Sequence, residues 1–134
     1  MILFLGRENL EEVLGLLKDA MAKNPQSKGF LIDGYPRELE QAKCFERDVD
    51  KCTFITYFDV SDETMTKRLL ERGKTSGRAD DNEETIKQRL VTFHTHSQPI
   101  LIGYKDRVVT IPAEREVDDI FSDVCKCIHE KCGL

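Results

Sequence analysis

Apolar positions recur in two periods along the chain, one near 3.6 and one near 2. After a short apolar opening at Met1 to Leu5, the segment Glu8 to Lys23 sets Leu10, Val13, Leu14, Leu17 and Met21 three and four residues apart, which predicts a helix with one apolar stripe. Asn24-Pro25 stops it. Gly29-Phe30-Leu31-Ile32 is a short apolar run closed by Asp33-Gly34-Tyr35-Pro36, and reads as a buried strand running into a loop. Leu39, Ala42 and Phe45 return to helical spacing within Glu38 to Arg47, and Thr53 to Phe58, rich in β-branched and aromatic residues, predicts a second strand.

Ser61 is placed to cap a further helix, with Asp62 and Glu63 in its first turn and Arg68, Arg72 and Gly73 towards its end, so the helix is predicted over Asp62 to Arg72. Thr75 to Asp80 carries no apolar period and reads as a polar loop. Asp81 with Glu84 forms a capping-box pattern that opens a helix carrying Ile86, Leu90 and Phe93. Arg107 to Ile111 predicts a third strand, and Val117, Ile120, Phe121, Val124 and Ile128 predict an amphipathic C-terminal helix. Strand and helix alternate throughout, and parallel neighbours need a crossover, usually a helix. The pattern therefore predicts an α/β layer fold with a mostly parallel sheet, and no internal repeat or low-complexity tract interrupts it.

A length of 134 residues predicts one domain, and 40% hydrophobic with 34% charged residues predicts a folded globular chain. A net charge of -5 argues against a general nucleic-acid or anionic-membrane surface, which needs a concentrated basic face. Met1 to Leu5 and the stretch around Pro99 to Ile102 are far shorter than the roughly 18 apolar residues of a membrane span. Met1 to Leu5 also lacks the frame of a signal peptide, so a cytoplasmic location is expected. Five cysteines, Cys44, Cys52, Cys125, Cys127 and Cys132, do not resemble a secreted disulfide framework, and reduced thiols are expected.

Candidate chemistry concentrates in two places. In layered α/β folds ligands bind beyond the carboxyl ends of the strands, where Asp33-Gly34-Tyr35-Pro36-Arg37 is predicted to lie. Arg72, Arg78 and Arg89 bracket one polar segment, and arginine's planar, always-charged fork suits phosphoryl oxygens. The alternative for the first is ordinary turn chemistry, and for the second solvated surface charge paired with Asp80, Asp81 and Glu84. Elsewhere, Cys125, Cys127, His129 and Cys132 hold metal-ligating atoms, yet on a helix Cys125 and Cys127 face about 160° apart. His94 and His96, two apart on a predicted helix, read as surface residues, and Tyr57, Phe58, Phe93 and Phe121 read as packing residues.

Two long stretches, GFLIDGYPRELEQA at Gly29 to Ala42 and ETMTKRLLERGKTSGRADDNEETIKQRL at Glu63 to Leu90, closely resemble the short-lid cytosolic adenylate kinases. The resemblance runs from about Asn9 almost to the C-terminus. It implies a P-loop-NTPase-like three-layer α/β/α fold and a single, partial nucleoside monophosphate kinase domain over 1–134. The short lid would lie at about 72–82, with Lys74 to Asp81 forming most of it. It implies the reaction of ATP and AMP to two ADP with Mg2+ accompanying ATP, and hence ATP, AMP and ADP as partners, without nucleic acid or membrane. Asp33 would lie near the magnesium-bound phosphates, reaching the ion through water, with no direct metal ligand. Gly34, Arg37 and Gln41 would bind AMP, Arg37 through its phosphate and Gln41 through its adenine, which favours AMP over UMP or CMP. Arg72 would serve the ATP side, and Arg78 and Arg89 the AMP side, of the transferred phosphoryl. Asp33, Arg72, Arg78 and Arg89 thus form the implied catalytic set.

A P-loop needs Gly-x-x-x-x-Gly-Lys-Ser/Thr, which these 134 residues do not contain. Gly73-Lys74-Thr75 copies only its tail, since Arg68 stands where the first glycine belongs. The family's opening strand is also missing, so the chain is expected to be N-terminally truncated, incomplete on that side of the sheet and impaired in catalysis. It would then self-associate through exposed sheet edges. Met1 to Leu5 is a candidate for the vacant central slot, with Ile2 to Leu5 parallel to Phe30 to Ile32. The reading from another class is a non-catalytic nucleotide-binding or partner-binding fragment.

Overall fold

The computed structural model describes residues 10–78 and 80–133, which divide into two compact units, one ending at Cys52 and the other beginning at Thr53. In the first unit, Leu10–Ala22 forms α1 and Leu39–Asp48 forms α2. The apolar stripe of α1 works as its spacing predicts: Leu14 is buried with Cys44 and Phe45 of α2, and Leu10, Leu17 and Met21 pack around them. Burial of such side chains, about 1.5–3 kcal/mol each, is what orders two short helices that would fray alone.

The strand expected at Gly29–Ile32 does not form. Leu31 is 89% exposed, and only Ile32 turns in towards Leu14 and Phe45. A strand is stable only when its N–H and C=O groups meet a neighbour's, and among the described residues of this unit no strand lies beside the segment. The proposed pairing of Ile2 to Leu5 with Phe30 to Ile32 falls outside the described residues.

The second unit runs β1 (Ile55–Asp59), α3 (Asp62–Ser76), α4 (Glu83–Thr92), a π turn (Phe93–Ser97), α5 (Gln98–Gly103), β2 (Val108–Pro112) and α6 (Val117–Cys132). The two strands pair in parallel from Ile55 opposite Val108 to Asp59 opposite Pro112, and Ala113 N–H extends the ladder to Asp59 O at 2.7 Å. The helical crossover α3 to α5 joins them, so the α/β class with parallel pairing is present, carried by a two-stranded sheet. Ile86 of α4 is completely buried, and Ile100, Tyr104, Ile111 and Ala113 are buried as well. Tyr57 of β1 stacks on Phe93 at 6.3 Å between ring centres.

Three expectations are corrected here. Helix α3 does not stop at Arg72 but continues to Ser76, where Gly77 takes the left-handed conformation (φ 65°) that ends helices. Lys74 to Ser76 are therefore helical. The cap of α4 is Asn82, whose side chain accepts from Thr85 N–H at 3.0 Å, because the Asp81 carboxylate is taken by arginines. Phe121 and Phe58 are not core residues, being 66% and 47% exposed. Helix α6 lays the side of Asp123, Cys127 and Glu130 along β2, which leaves Phe121 on another face, and among the described residues β1 has a strand on one side only. No described helix is long and apolar enough to cross a membrane.

Candidate functional site

In the first unit the candidate residues follow the unpaired segment directly. Gly34 has φ 78°, a conformation that side chains with a Cβ rarely adopt, and it turns the chain into a cis Tyr35–Pro36 peptide. Tyr35 donates its hydroxyl to Gln41 O at 3.0 Å, and its ring lies 6.1 Å from that of Phe45. Burial, with help from Cys44 and Asp48, pushes its phenol up to about 12. Arg37 is bound at both ends of this turn: its Nε donates to Gly34 O at 2.8 Å and its backbone N–H donates to Gln41 Oε1 at 2.9 Å. Glu38, at the cap position of α2, makes no side-chain cap bond, so Gln41 closes the helix start from inside. Gly34, Arg37 and Gln41 are thereby drawn into one small constellation, with Asp33 exposed beside it.

In the second unit Arg72, Arg78 and Arg89 are gathered by two carboxylates. Arg72 makes a two-pronged bond to Asp81, Nε to Oδ2 and Nη2 to Oδ1, both 2.7 Å. Arg89 reaches the same Asp81 Oδ1 at 3.3 Å through Nη1 and bonds Asp80 through Nη2. Arg78 Nε lies 3.4 Å from Asp80 Oδ1. The Asp81 side chain is 0% exposed and Arg89 20%, whereas Arg72 keeps 43%. Bonding to Arg72, and then the pull of Arg78 and Arg89, holds the Asp81 carboxyl below the ordinary carboxylate range. For Asp80, burial works upward, yet the attraction of Arg89 and Arg78 outweighs it and the net displacement is downward. Three cations against two anions leave the cluster with one positive charge in excess.

Gly73 is part of this arrangement. A Cβ on it would stand 2.6 Å from Asp81 O, so α3 admits the Asp80-Asp81 backbone only because residue 73 has no side chain. This accounts for the glycine of Gly73-Lys74-Thr75 without any phosphate-binding loop.

Sequence reasoning missed a further carboxylate, Glu114, in the loop after β2. Its Oε1 accepts from Ser61 N–H and its Oε2 from Thr64 Oγ1, each at 2.7 Å, at the start of α3. Bonds from Ser61 and Thr64, with Arg68 nearby, hold it down to about 2. Arg68, given no binding role by its sequence position, donates to Ala113 O at 2.8 Å and Arg115 O at 3.2 Å. The signal available was topological, since the loops that follow adjacent parallel strands emerge side by side.

The adenylate kinase family profile matches residues 9–109. The chain belongs to the adenylate kinase family. It is 56% identical over 119 residues to adenylate kinase isoenzyme 1 of Sus scrofa, covering 87% of this chain and 61% of that protein. With the isoenzyme 1 of Gallus gallus it shares 52% over 124 residues, 90% of this chain and 64% of that one. The Caenorhabditis elegans isoenzyme 1 is 53% identical over 119 residues, 86% and 57% of the two chains. The chain thus spans about three-fifths of the length of these curated relatives.

Within this adenylate kinase family chain, the matched region takes in both charged constellations and α3 to α5 in full, and ends inside β2. The C-terminal cysteines lie beyond it. Cys127 is buried, Cys125 half-buried and Cys132 exposed, all as free thiols. Among the described residues, no group of three or more His, Cys, Asp or Glu is arranged to hold a metal ion.

Proposed function

We propose that this chain carries the nucleoside-monophosphate and lid functions of an adenylate kinase, serving the reversible transfer of a phosphoryl group from ATP to AMP to give two ADP in the cytoplasm. The observation that carries the reading is the gathering of Arg72, Arg78 and Arg89 by Asp80 and Asp81 within one unit of a family member. Phosphoryl transfer asks little covalent work of a protein. It asks for positioned positive charge around a trigonal phosphoryl, and forked guanidiniums held by carboxylates are ordered before the nucleotide arrives.

In this reading Arg72 neutralises charge on the ATP side, and Arg78 and Arg89 do so on the AMP side. Arg37 binds the AMP phosphate, with Gly34 permitting close approach of the backbone. Gln41 reads adenine; with Oε1 committed to Arg37 N–H, the group it offers a base is its Nε2 donor. Asp33 is an exposed, hard oxygen donor, which fits Mg2+ held through water, and that ion would supply charge neutralisation to the ATP phosphates. The 134 residues contain no Gly-x-x-x-x-Gly-Lys-Ser/Thr cradle for those phosphates.

That last feature favours a second reading, a fragment that binds AMP or a complementing chain without turnover. A coupled assay of ADP formation from ATP, AMP and Mg2+, run beside Arg78→Ala and with AMP titrated calorimetrically, separates the two. Turnover that Arg78→Ala abolishes supports the kinase; AMP binding without turnover supports the nucleotide-binding fragment; neither turnover nor AMP binding by the folded chain overturns both and leaves only the fragment that binds a complementing chain. In the same proposal, the edges that β1 and β2 leave unpaired among the described residues promote self-association, which sedimentation velocity would detect.

A further inference from the structure

His94 stands on the π turn between α4 and α5, and both of its ring nitrogens face oxygen. Nε2 lies 3.1 and 3.0 Å from Oδ1 and Oδ2 of Asp62, and Nδ1 lies 3.3 Å from Oε1 of Gln98. A neutral imidazole has one donor nitrogen and one acceptor, whereas imidazolium donates from both. Oxygens on the two sides of the ring therefore match the protonated form. Phe93 approaches the ring edge-on at 5.4 Å and is itself stacked on Tyr57 of β1.

Asp62 supplies the charge that acts on the ring. From α3 comes Asp62, and β1 brings the Tyr57 phenol, on which Asp59 and Asp62 act. From α5 comes the neutral Gln98. Arg89, the one charge in the last turn of α4, is engaged by Asp80 and Asp81.

We propose that His94 and Asp62 form a proton-operated clasp, closed while His94 is imidazolium, that fixes the π turn to the start of α3. The position gives it leverage. Asp62 opens the helix that carries Arg72, and His94 follows the helix that carries Arg89. The α3–α4 pair is thus tied at one end by Asp81 and at the other by the clasp. A π turn fits one more residue into a helical turn and persists only where outside contacts favour it. Loss of the His94 proton from Nδ1 removes the positive charge that draws Asp62 to the ring and the donation to Gln98 Oε1, so a charge-assisted contact at Nε2 becomes a neutral one and the hold on the turn weakens. The clasp depends on no nucleotide chemistry.

Asp62 first, and then Gln98, raise the His94 pKa above its ordinary value. A raised value in the folded state means that the stabilisation is full below about 6.5 and is lost as pH rises through the folded value. The test is a titration of the 134-residue chain by imidazole nitrogen NMR, with the His94 signals assigned by their loss in His94→Gln, joined to thermal midpoints between about pH 6 and 8.5. The expected result is a His94 pKa above the ordinary value with both nitrogens protonated at the acid end. Asp62→Asn should bring that pKa down, and the midpoint advantage of the parent over His94→Gln should shrink to nothing as pH rises. A His94 pKa at or below the ordinary value overturns the clasp, and so does a parent advantage over His94→Gln that is constant across the range.

Discussion

Arg72 and Asp81 meet through two parallel bonds of 2.7 Å, and Asp81 accepts a third from Arg89, so one carboxylate joins α3 to α4. Carboxylate geometry favours such forked pairing, and enclosure of Asp81 makes the loss of a partner costly.

The first expectation concerns acid. Asp81 and Glu114 are both depressed in the folded state, so each contributes stability that is present above the ordinary carboxylate range and is lost as pH falls through its folded value. For Glu114 that window runs from 4.5 down to about 2. Thermal midpoints between about pH 7 and 2 should show Asp81→Asn and Glu114→Gln less stable than the parent at neutrality and the gap closing at the acid end. A gap that stays constant to pH 2 would remove the argument.

Glycine substitutions should act in opposite directions at two helical sites. Gly15 in α1 has open space around it, and Gly15→Ala should stabilise by about 0.5–1 kcal/mol through helix propensity. Gly73→Ala gains the same propensity but drives a methyl into Asp81 O, and should lose about 1–3 kcal/mol net. Urea unfolding of both variants measures the contrast, and equal effects would contradict the close approach.

Ile86 of α4 is completely buried. Ile86→Ala should cost about 2–5 kcal/mol by lost burial and an unfilled cavity, while Val91→Ala, on the exposed side of the same helix, should change stability by less than about 1 kcal/mol. Chemical denaturation of the two variants decides it.

Of the helices and strands, those whose pattern is long or whose partner is fixed by topology were legible. The stripe of α1, the β-branched run of β1 and the period of α6 each sit within a few residues of expectation. Gly29–Ile32 was not, because an apolar run reports a preference for partners and not their presence. The end of α3 was misjudged because Gly73 and Gly77 look alike in sequence, one needed for close approach and the other for its left-handed backbone. Asp81 and Asn82 are equally good caps in principle, and only the arginines, folded back from α3 and α4, decide which is used. The candidate arginines were legible as residue types at a suggestive spacing; their assembly depends on carboxylates whose role no periodicity expresses. Glu114 was invisible for the same reason, lying 53 residues from Ser61.

Tyr35 supplies a spectroscopic check on the first unit. Of the three tyrosines, it should ionise near 12, well after an ordinary phenol, and Tyr35→Phe should delete that step from the ultraviolet titration. Ionisation of Tyr35 near 10 would show that its burial against Phe45 is absent in solution.

The parallel pairing of β1 with β2 also sets an order of events. Ile55 and Val108 stand at the same 53-residue separation as Ser61 and Glu114, and closing so long a loop costs entropy before any ladder bond repays it. Helix formation from α3 to α5 shortens the span that must be closed. The strands are therefore expected to zip after the helices have condensed, with Ile111→Val accelerating unfolding more than it slows refolding, so that the persistence of the folded unit is governed by its last-made contacts.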